Sequence, residues 1–447
     1  MKSKFIFVVA VLFSLSLIAT TATANETVLA NLGDSSISDG NTPVGSLVHD
    51  EYGNLYGTTV VGGTHSFGTV FVVCAPNLPS TRLPCTPNLP NPTEIVLYNF
   101  QGAGFLDGAR PYSTLVSYSV VSRLFTLYGT THEGGNPGCA YSGSAGGCGT
   151  VFELCAPSSS GGCSTTTSWQ EKTIWKFSSG AGGAIPYAGV ITDGAGTLYG
   201  TTMYGGMGTC NVGNTNFRCG TVFRLKHNAT FSTWTRTVLH KFNGDGAVPL
   251  AGLCCNSLGT IFVLYGTTYQ GGAGNGGVVF SLQNSPGFPT TTLYTFCSQP
   301  GCADGAKPMA NVVFDSATPP RMYGTTFTGG LNNLGTVFQL SPPFYNAETA
   351  LYSFCLYCSV SGANPHAGLL VDANNNLYGT TVTNASCCGG VFEWSPPFNS
   401  NSLTILHAFG LTDGGDPYSG VISVNSILYG TTTAGGQYGG GVVYSIP

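Results

Sequence analysis

The chain has 447 residues, only 7% of them charged, against roughly a quarter in an average soluble protein. Its net charge of −5 leaves little basic surface to neutralise phosphates, which argues against nucleic acid and anionic membranes as partners. Aromatic residues make up 12% of the chain and supply ample core, so low charge here is not a sign of disorder, and Gly, Ser, Thr and Asn must form most of the solvated surface.

At the N-terminus, Lys2 and Lys4 precede an apolar stretch from Phe5 to Ala19, followed by the small-residue sequence Ala22-Thr23-Ala24. These are the three parts of a secretory signal, so residues 1–24 are expected to be removed near Ala24, leaving residues 25–447 as one secreted domain. The apolar stretch is shorter than the roughly 20 residues that a membrane span needs, and no insertion into the membrane is expected.

The next segment, Glu26 to Leu32, reads ETVLANL and matches ETALYSF at Glu348 to Phe354. A string LYGTT, or a one-letter variant, then recurs seven times with its tyrosine at Tyr56, Tyr128, Tyr199, Tyr265, Tyr323, Tyr378 and Tyr429. Alternating hydrophobicity and Gly, Pro and Asp punctuation divide each unit into four short strands. In the fifth unit these are Met309 to Phe314, Arg321 to Thr326, Gly335 to Leu340 and Glu348 to Phe354. Later units approach the roughly 40–50 residues of a four-stranded propeller blade, while earlier ones carry loop insertions. The expected fold is therefore all-β, a seven-bladed β-propeller; an open β-solenoid would want terminal caps, and none is visible. The chain ends on Gly441 to Ile446, which has third-strand pattern, so the seventh unit lacks a fourth strand of its own. Glu26 to Leu32 is expected to fill that gap and close the ring.

Sixteen cysteines in an exported chain read as disulfides. Six short-range pairs follow from equivalent repeat positions: Cys74 with Cys85, Cys139 with Cys148, Cys155 with Cys163, Cys210 with Cys219, Cys297 with Cys302, and Cys355 with Cys358. The adjacent cysteines Cys254-Cys255 and Cys387-Cys388 have no assigned partners. A zinc reading of the Cys355–Cys358 spacing lacks the matching second pair that it needs.

A turn of pattern D-G-x-x-P opens each unit, with aspartate at Asp39, Asp107, Asp245, Asp304 and Asp413. Its structural reading has Gly supplying a positive φ, Pro fixing the first strand and Asp accepting local hydrogen bonds. Its functional reading is a ring of carboxylates at the channel mouth, and these five residues are the binding candidates. In LYGTT, Gly is read as admitting a neighbouring backbone. His240 and His407 share a fourth-strand position that suggests packing. No nucleophile elbow, H-E-x-x-H, P-loop or dinucleotide fingerprint occurs, so no catalytic residue, metal or cofactor is assigned. Asn25, Asn228 and Asn384 are N-glycosylation sequences that matter only in a glycosylating host.

The unit LYGTTxxGGxxxxGTVF, seen in Tyr56-Gly57-Thr58-Thr59, Gly62-Gly63 and Gly68-Thr69-Val70-Phe71, resembles the GloVer repeat of exported bacterial proteins. The resemblance implies export and a propeller-like fold, with no established reaction. Many such proteins end in a surface-sorting anchor, whereas this sequence stops at Pro447, from which release is expected. The expected function is a monomeric, non-catalytic binding or scaffolding propeller that recognises glycan or another surface polymer. The alternative is a polysaccharide-active enzyme, a glycosidase or lyase, with its site at the channel mouth.

Overall fold

The computed structural model describes residues 26–36, 38–75, 84–85, 93–118, 125–139, 146–157, 168–212, 215–228, 233–258, 261–356, 362–384, 387–398 and 402–447. The expected signal sequence, Asn25, Cys163 and Cys358 lie outside them. Seven antiparallel four-stranded sheets form the blades of a β-propeller around a central cavity that all seven line. In the fifth blade the strands are Val313–Phe314, Met322–Thr326, Thr336–Ser341 and Ala347–Ser353, paired in that order. The first strand is shorter than the sequence pattern predicts because Met309, Ala310 and Asn311 line the cavity instead.

The ring closes as expected. Thr27–Asn31 pairs antiparallel with Val442–Ile446, with Thr27 opposite Ser445 and Asn31 opposite Val442. The seventh blade is thus built from both ends of the described chain, and its sheet acquires an outer strand that would otherwise be a bare edge.

Each residue of LYGTT has a distinct task. Tyr56, Tyr199, Tyr323 and Tyr378 donate their hydroxyls to aspartates of the preceding hairpin, Asp50, Asp193, Asp315 and Asp372. The glycine faces an aromatic ring rather than a backbone: a Cβ on Gly324 would lie 2.5 Å from the Phe338 ring, and Phe338 is its cross-strand partner. The first threonine joins blades. Thr58, Thr130, Thr201, Thr267, Thr325 and Thr380 donate to carbonyls of the next blade at 2.9–3.1 Å. The second threonine stays within its blade, as in the Thr326–Thr336 hydroxyl pair at 2.8 Å.

Blades also lock through rings. The aromatic that closes one fourth strand packs on the third-strand aromatic of the next blade: Phe100 on Phe152, Phe177 on Phe223, Phe242 on Phe280, Phe296 on Phe338, Phe354 on Phe392 and Phe409 on Tyr444, with centroids 4.9–5.7 Å apart. Tilted ring pairs of this kind contribute about 0.5–1.5 kcal/mol each beyond the area they bury.

The D-G-x-x-P turn differs from its sequence reading in one respect. Its glycine has positive φ only at Gly183, Gly305 and Gly414, whereas the residue before the proline has it in all seven blades. Thr42, Arg110, Ile185, Val248, Lys307, Asn364 and Asp416 lie between 54° and 61°. A non-glycine residue there costs on the order of 1–3 kcal/mol. Each of the seven N–H groups donates to a carbonyl of the preceding blade at 2.6–2.9 Å, so surrounding contacts hold the conformation.

Disulfides join Cys74 to Cys85, Cys139 to Cys148, Cys210 to Cys219 and Cys297 to Cys302, as the spacing predicts. Cys387 and Cys388 are bonded to each other. Cys155 and Cys355 are disulfide-bonded. Bridges at this density belong to an oxidising compartment. No helix among the described residues is long and apolar enough to cross a membrane.

Candidate functional site

None of the five turn aspartates lines the cavity. They sit at the junctions between blades, where each satisfies local donors. Asp39 accepts from the Gly33 N–H, Asp107 from Gln101 N–H and the Tyr98 hydroxyl, and Asp304 from Ser298 N–H and the Tyr294 hydroxyl. Asp245 and Asp413 meet His240 and His407 at 2.8 and 3.0 Å. The two histidines are therefore partners of aspartates as well as packing groups.

A glutamate from the next blade faces four of these aspartates: Glu94 faces Asp39, Glu171 faces Asp107, Glu348 faces Asp304 and Glu26 faces Asp413. Burial, with the neighbouring carboxylate adding to it, pushes Glu94, Glu171 and Glu348 up to about 8. These three couples therefore each hold a proton at neutral pH. The junction between the second and third blades shows the logic reversed: the turn has Gly182 in place of Asp, and the glutamate position is Arg236, which donates to the Gly182 carbonyl at 2.6 Å and covers Trp175.

The convergent polar groups lie instead at one mouth of the central cavity, whose volume is about 310 Å³. Three positions of each unit vary against the repeat frame: the residue before the proline, the residue after it, which lines the cavity, and the residue after LYGTT, of which His132 and Phe327 touch the lining rings. After the proline stand Val44, Tyr112, Tyr187, Leu250, Met309, His366 and Tyr418, all lining the cavity. The small residues that follow, such as Ala188-Gly189 and Ser419-Gly420, let the inner segments approach; a Cβ on Gly45 would meet the Ser113 carbonyl.

Two aromatic groups occupy this mouth. Tyr112 stacks on Tyr187 at 5.0 Å, with His132 against both. His366 meets Tyr418 at 4.6 Å and Phe327 at 6.3 Å. Tyr187 feels both Tyr112 and Tyr418, so the two groups are electrostatic neighbours. Arg110 pairs with Glu133 at 3.5 Å beside Tyr112, and Lys307 and Asp416 occupy the positions equivalent to Arg110 in their blades.

Protonation at the mouth is well defined. Burial pushes His366 down to about 4, so its imidazole is neutral at neutral pH. Its Nδ1 lies 3.2 Å from the Tyr418 carbonyl oxygen, which only accepts, so Nδ1 carries the hydrogen and Nε2 keeps its lone pair. Burial, and then the Asp416 charge, raise the Tyr418 phenol, which keeps its proton. A neutral base therefore sits against a protonated phenol, a pairing suited to moving a proton between two substrate atoms. The sequence reading missed these residues because it looked for regular motifs. Their signal was irregularity: aromatic, basic and acidic residues in the slots that the repeat leaves open.

Fold and site together define a seven-bladed β-propeller with a polar axial mouth. The chain belongs to the Gloeobacter/Verrucomicrobia repeat family, whose model matches residues 207–444. No curated protein matches the sequence. Solved structures similar to it include a Trypanosoma rangeli sialidase (8% identity over 80% of this chain and 56% of that one, TM-score 0.37). They also include a Penicillium chrysogenum α-L-arabinanase complexed with arabinobiose (11%, 85% and 98%, 0.43) and prolyl oligopeptidase B from Galerina marginata (10%, 89% and 47%, 0.45). The chain thus spans about half the length of the sialidase and the oligopeptidase.

The expectation of a non-catalytic binding or scaffolding propeller is corrected here. Among the described residues, the mouth gathers one cluster of titratable groups, with His366 against Tyr418 and Tyr112 stacked on Tyr187, and this favours the enzyme alternative.

Proposed function

We propose that this protein is a secreted polysaccharide-active enzyme whose site is the channel mouth, and that it cleaves uronic-acid-containing polymers by β-elimination. The observation that carries this reading is the pairing of His366, neutral with Nε2 basic, with the protonated Tyr418. Elimination needs a base for the proton α to a carboxylate, an acid for the leaving oxygen and positive charge near the substrate carboxylate. His366 Nε2 takes the C5 proton, the C4–O bond breaks as the C4–C5 double bond forms, and the Tyr418 phenol delivers its proton to the departing oxygen. Lys307 supplies cationic charge at the rim, where the Arg110 charge is balanced by Glu133, and the Tyr112–Tyr187 stack offers a sugar ring an apolar face. Hydrolysis would instead call for two carboxyl groups flanking the scissile bond; none is described among the residues that line the cavity, and of the rim carboxyl groups Glu133 is taken up by Arg110 and Asp416 lies beside the Tyr418 phenol.

The test is incubation of the purified protein with pectate, alginate and glycosaminoglycans beside neutral arabinan. Elimination produces an unsaturated uronate, seen as ultraviolet absorbance that grows with reducing ends. Reducing ends without that absorbance would mean hydrolysis and would overturn the reading.

A further inference from the structure

Equivalent positions at the blade junctions can be compared directly. A described junction brings together the residue two before one closing residue, the aspartate position of the following turn, and the residue six before the next closing residue, which is aromatic in six blades and Leu32 in the seventh. Between the first and second blades these are Tyr98, Asp107 and Glu171; between the fourth and fifth, Tyr294, Asp304 and Glu348. Both tyrosines donate to their aspartate, at 3.0 and 2.9 Å. Between the sixth and seventh blades, histidine replaces tyrosine while both carboxyl groups are kept. His240 has Asp245 beside it, but Thr290 stands where the glutamate would be.

We propose that His407, Asp413 and Glu26 form a binding site for a divalent transition cation of the zinc type, placed where the N-terminal strand closes the ring. One ligand atom from each lies within 4.8 Å of the others, and His407 Nε2 is 3.0 Å from Asp413 Oδ2. Zinc bonds of about 2.0–2.2 Å to nitrogen and oxygen place neighbouring ligand atoms roughly 3.3 Å apart, so the cluster is near ligating geometry. An imidazole with two carboxylates suits zinc or its neighbours better than calcium, which takes oxygen ligands alone.

Two further observations point to a cation. Glu26 Oε1 is buried with no hydrogen-bond partner, although its residue lies beside the strand that closes the ring. The Tyr444 hydroxyl is fully buried and also unpartnered, and the Glu26 charge reaches it. Every other blade has phenylalanine at the Tyr444 position, and since Glu94 and Glu348 at other junctions also hold unpartnered oxygens, it is the buried Tyr444 hydroxyl that sets this junction apart. A bound dication neutralises the facing carboxylates and gives Glu26 the partner it lacks. His407 and Asp413 side chains are 16% and 30% exposed, which leaves access for the ion and a water ligand. None of the three residues lines the central cavity, so the inference stands apart from the proposed reaction.

The test uses the full purified chain, stripped with chelator and titrated with zinc chloride by calorimetry, with thermal unfolding measured in parallel. One zinc per chain and a higher Tm with zinc are expected. His407→Tyr recreates the tyrosine form of the other junctions and keeps the fold; it should lose both effects, whereas His240→Tyr should retain them. Absence of zinc binding, or binding unchanged in His407→Tyr, would overturn the proposal. A response to calcium but not zinc would overturn it too.

Discussion

The junction glutamates show how one residue sets the pH behaviour of the fold. Native Glu171 holds its proton to about pH 8, whereas its ordinary value is 4.5, because it is buried facing Asp107. Between those values the native state binds more protons than the unfolded chain, so this contribution is lost as pH rises through the window. Glu94 and Glu348 act in the same direction. His366 acts in the opposite sense: its native value of about 4 lies below the ordinary 6.5, so its contribution is lost as pH falls through that interval. Three glutamates against one histidine predict a Tm that declines from pH 6 to pH 8. Glu171→Gln, which cannot ionise, should raise stability at pH 8 by ~2 kcal/mol and flatten the decline. A variant with the parent's pH slope would show that the couple is not protonated.

Within a strand, the same sequence fixes both the sheet and the contact with the next blade. Gly324 leaves room for the Phe338 ring, and Phe338 in turn packs on Phe296 of the preceding blade. Gly324→Ala forces the ring away from that partner, and an overpacking cost of about 1–3 kcal/mol is expected in urea unfolding. Ring closure is a second prediction at this level. Deleting residues 26–32 exposes the paired edge of Val442–Ile446, including the fully buried Val443 and Tyr444. The shortened chain should lose several degrees of Tm and self-associate through the bare edge, as light scattering would reveal. An unchanged monomeric melt would contradict the closing role of the strand.

Across the whole molecule, scaffold and site were legible to different degrees. The seven units, their strand phase, the closing strand and four described disulfides could be read from the sequence because each rests on a position that must repeat for blades to pack. The turn aspartates drew attention for the same reason, and their regularity reflects junction chemistry away from the cavity. Tyr112, Tyr187, His366 and Tyr418 were not legible as a set. They occupy a variable slot in separate units, from residue 112 to residue 418, and only closure of the ring brings them to one axis. Asn384, one of the three N-glycosylation sequences, has a buried side chain that donates to the Gly389 carbonyl.

The most direct measurement is the initial rate of unsaturated-product formation from the best uronate polymer, compared for the parent chain, His366→Ala and Tyr418→Phe. Removing a positioned acid or base typically costs 10²–10⁴-fold in rate. Both variants should lose about that much in kcat while the thermal melt at neutral pH moves by only a few degrees, and the parent's rate should fall on the acid side with the low value of His366. Parent-like turnover in both variants, or polymer cleavage with no unsaturated product, would contradict the channel-mouth account.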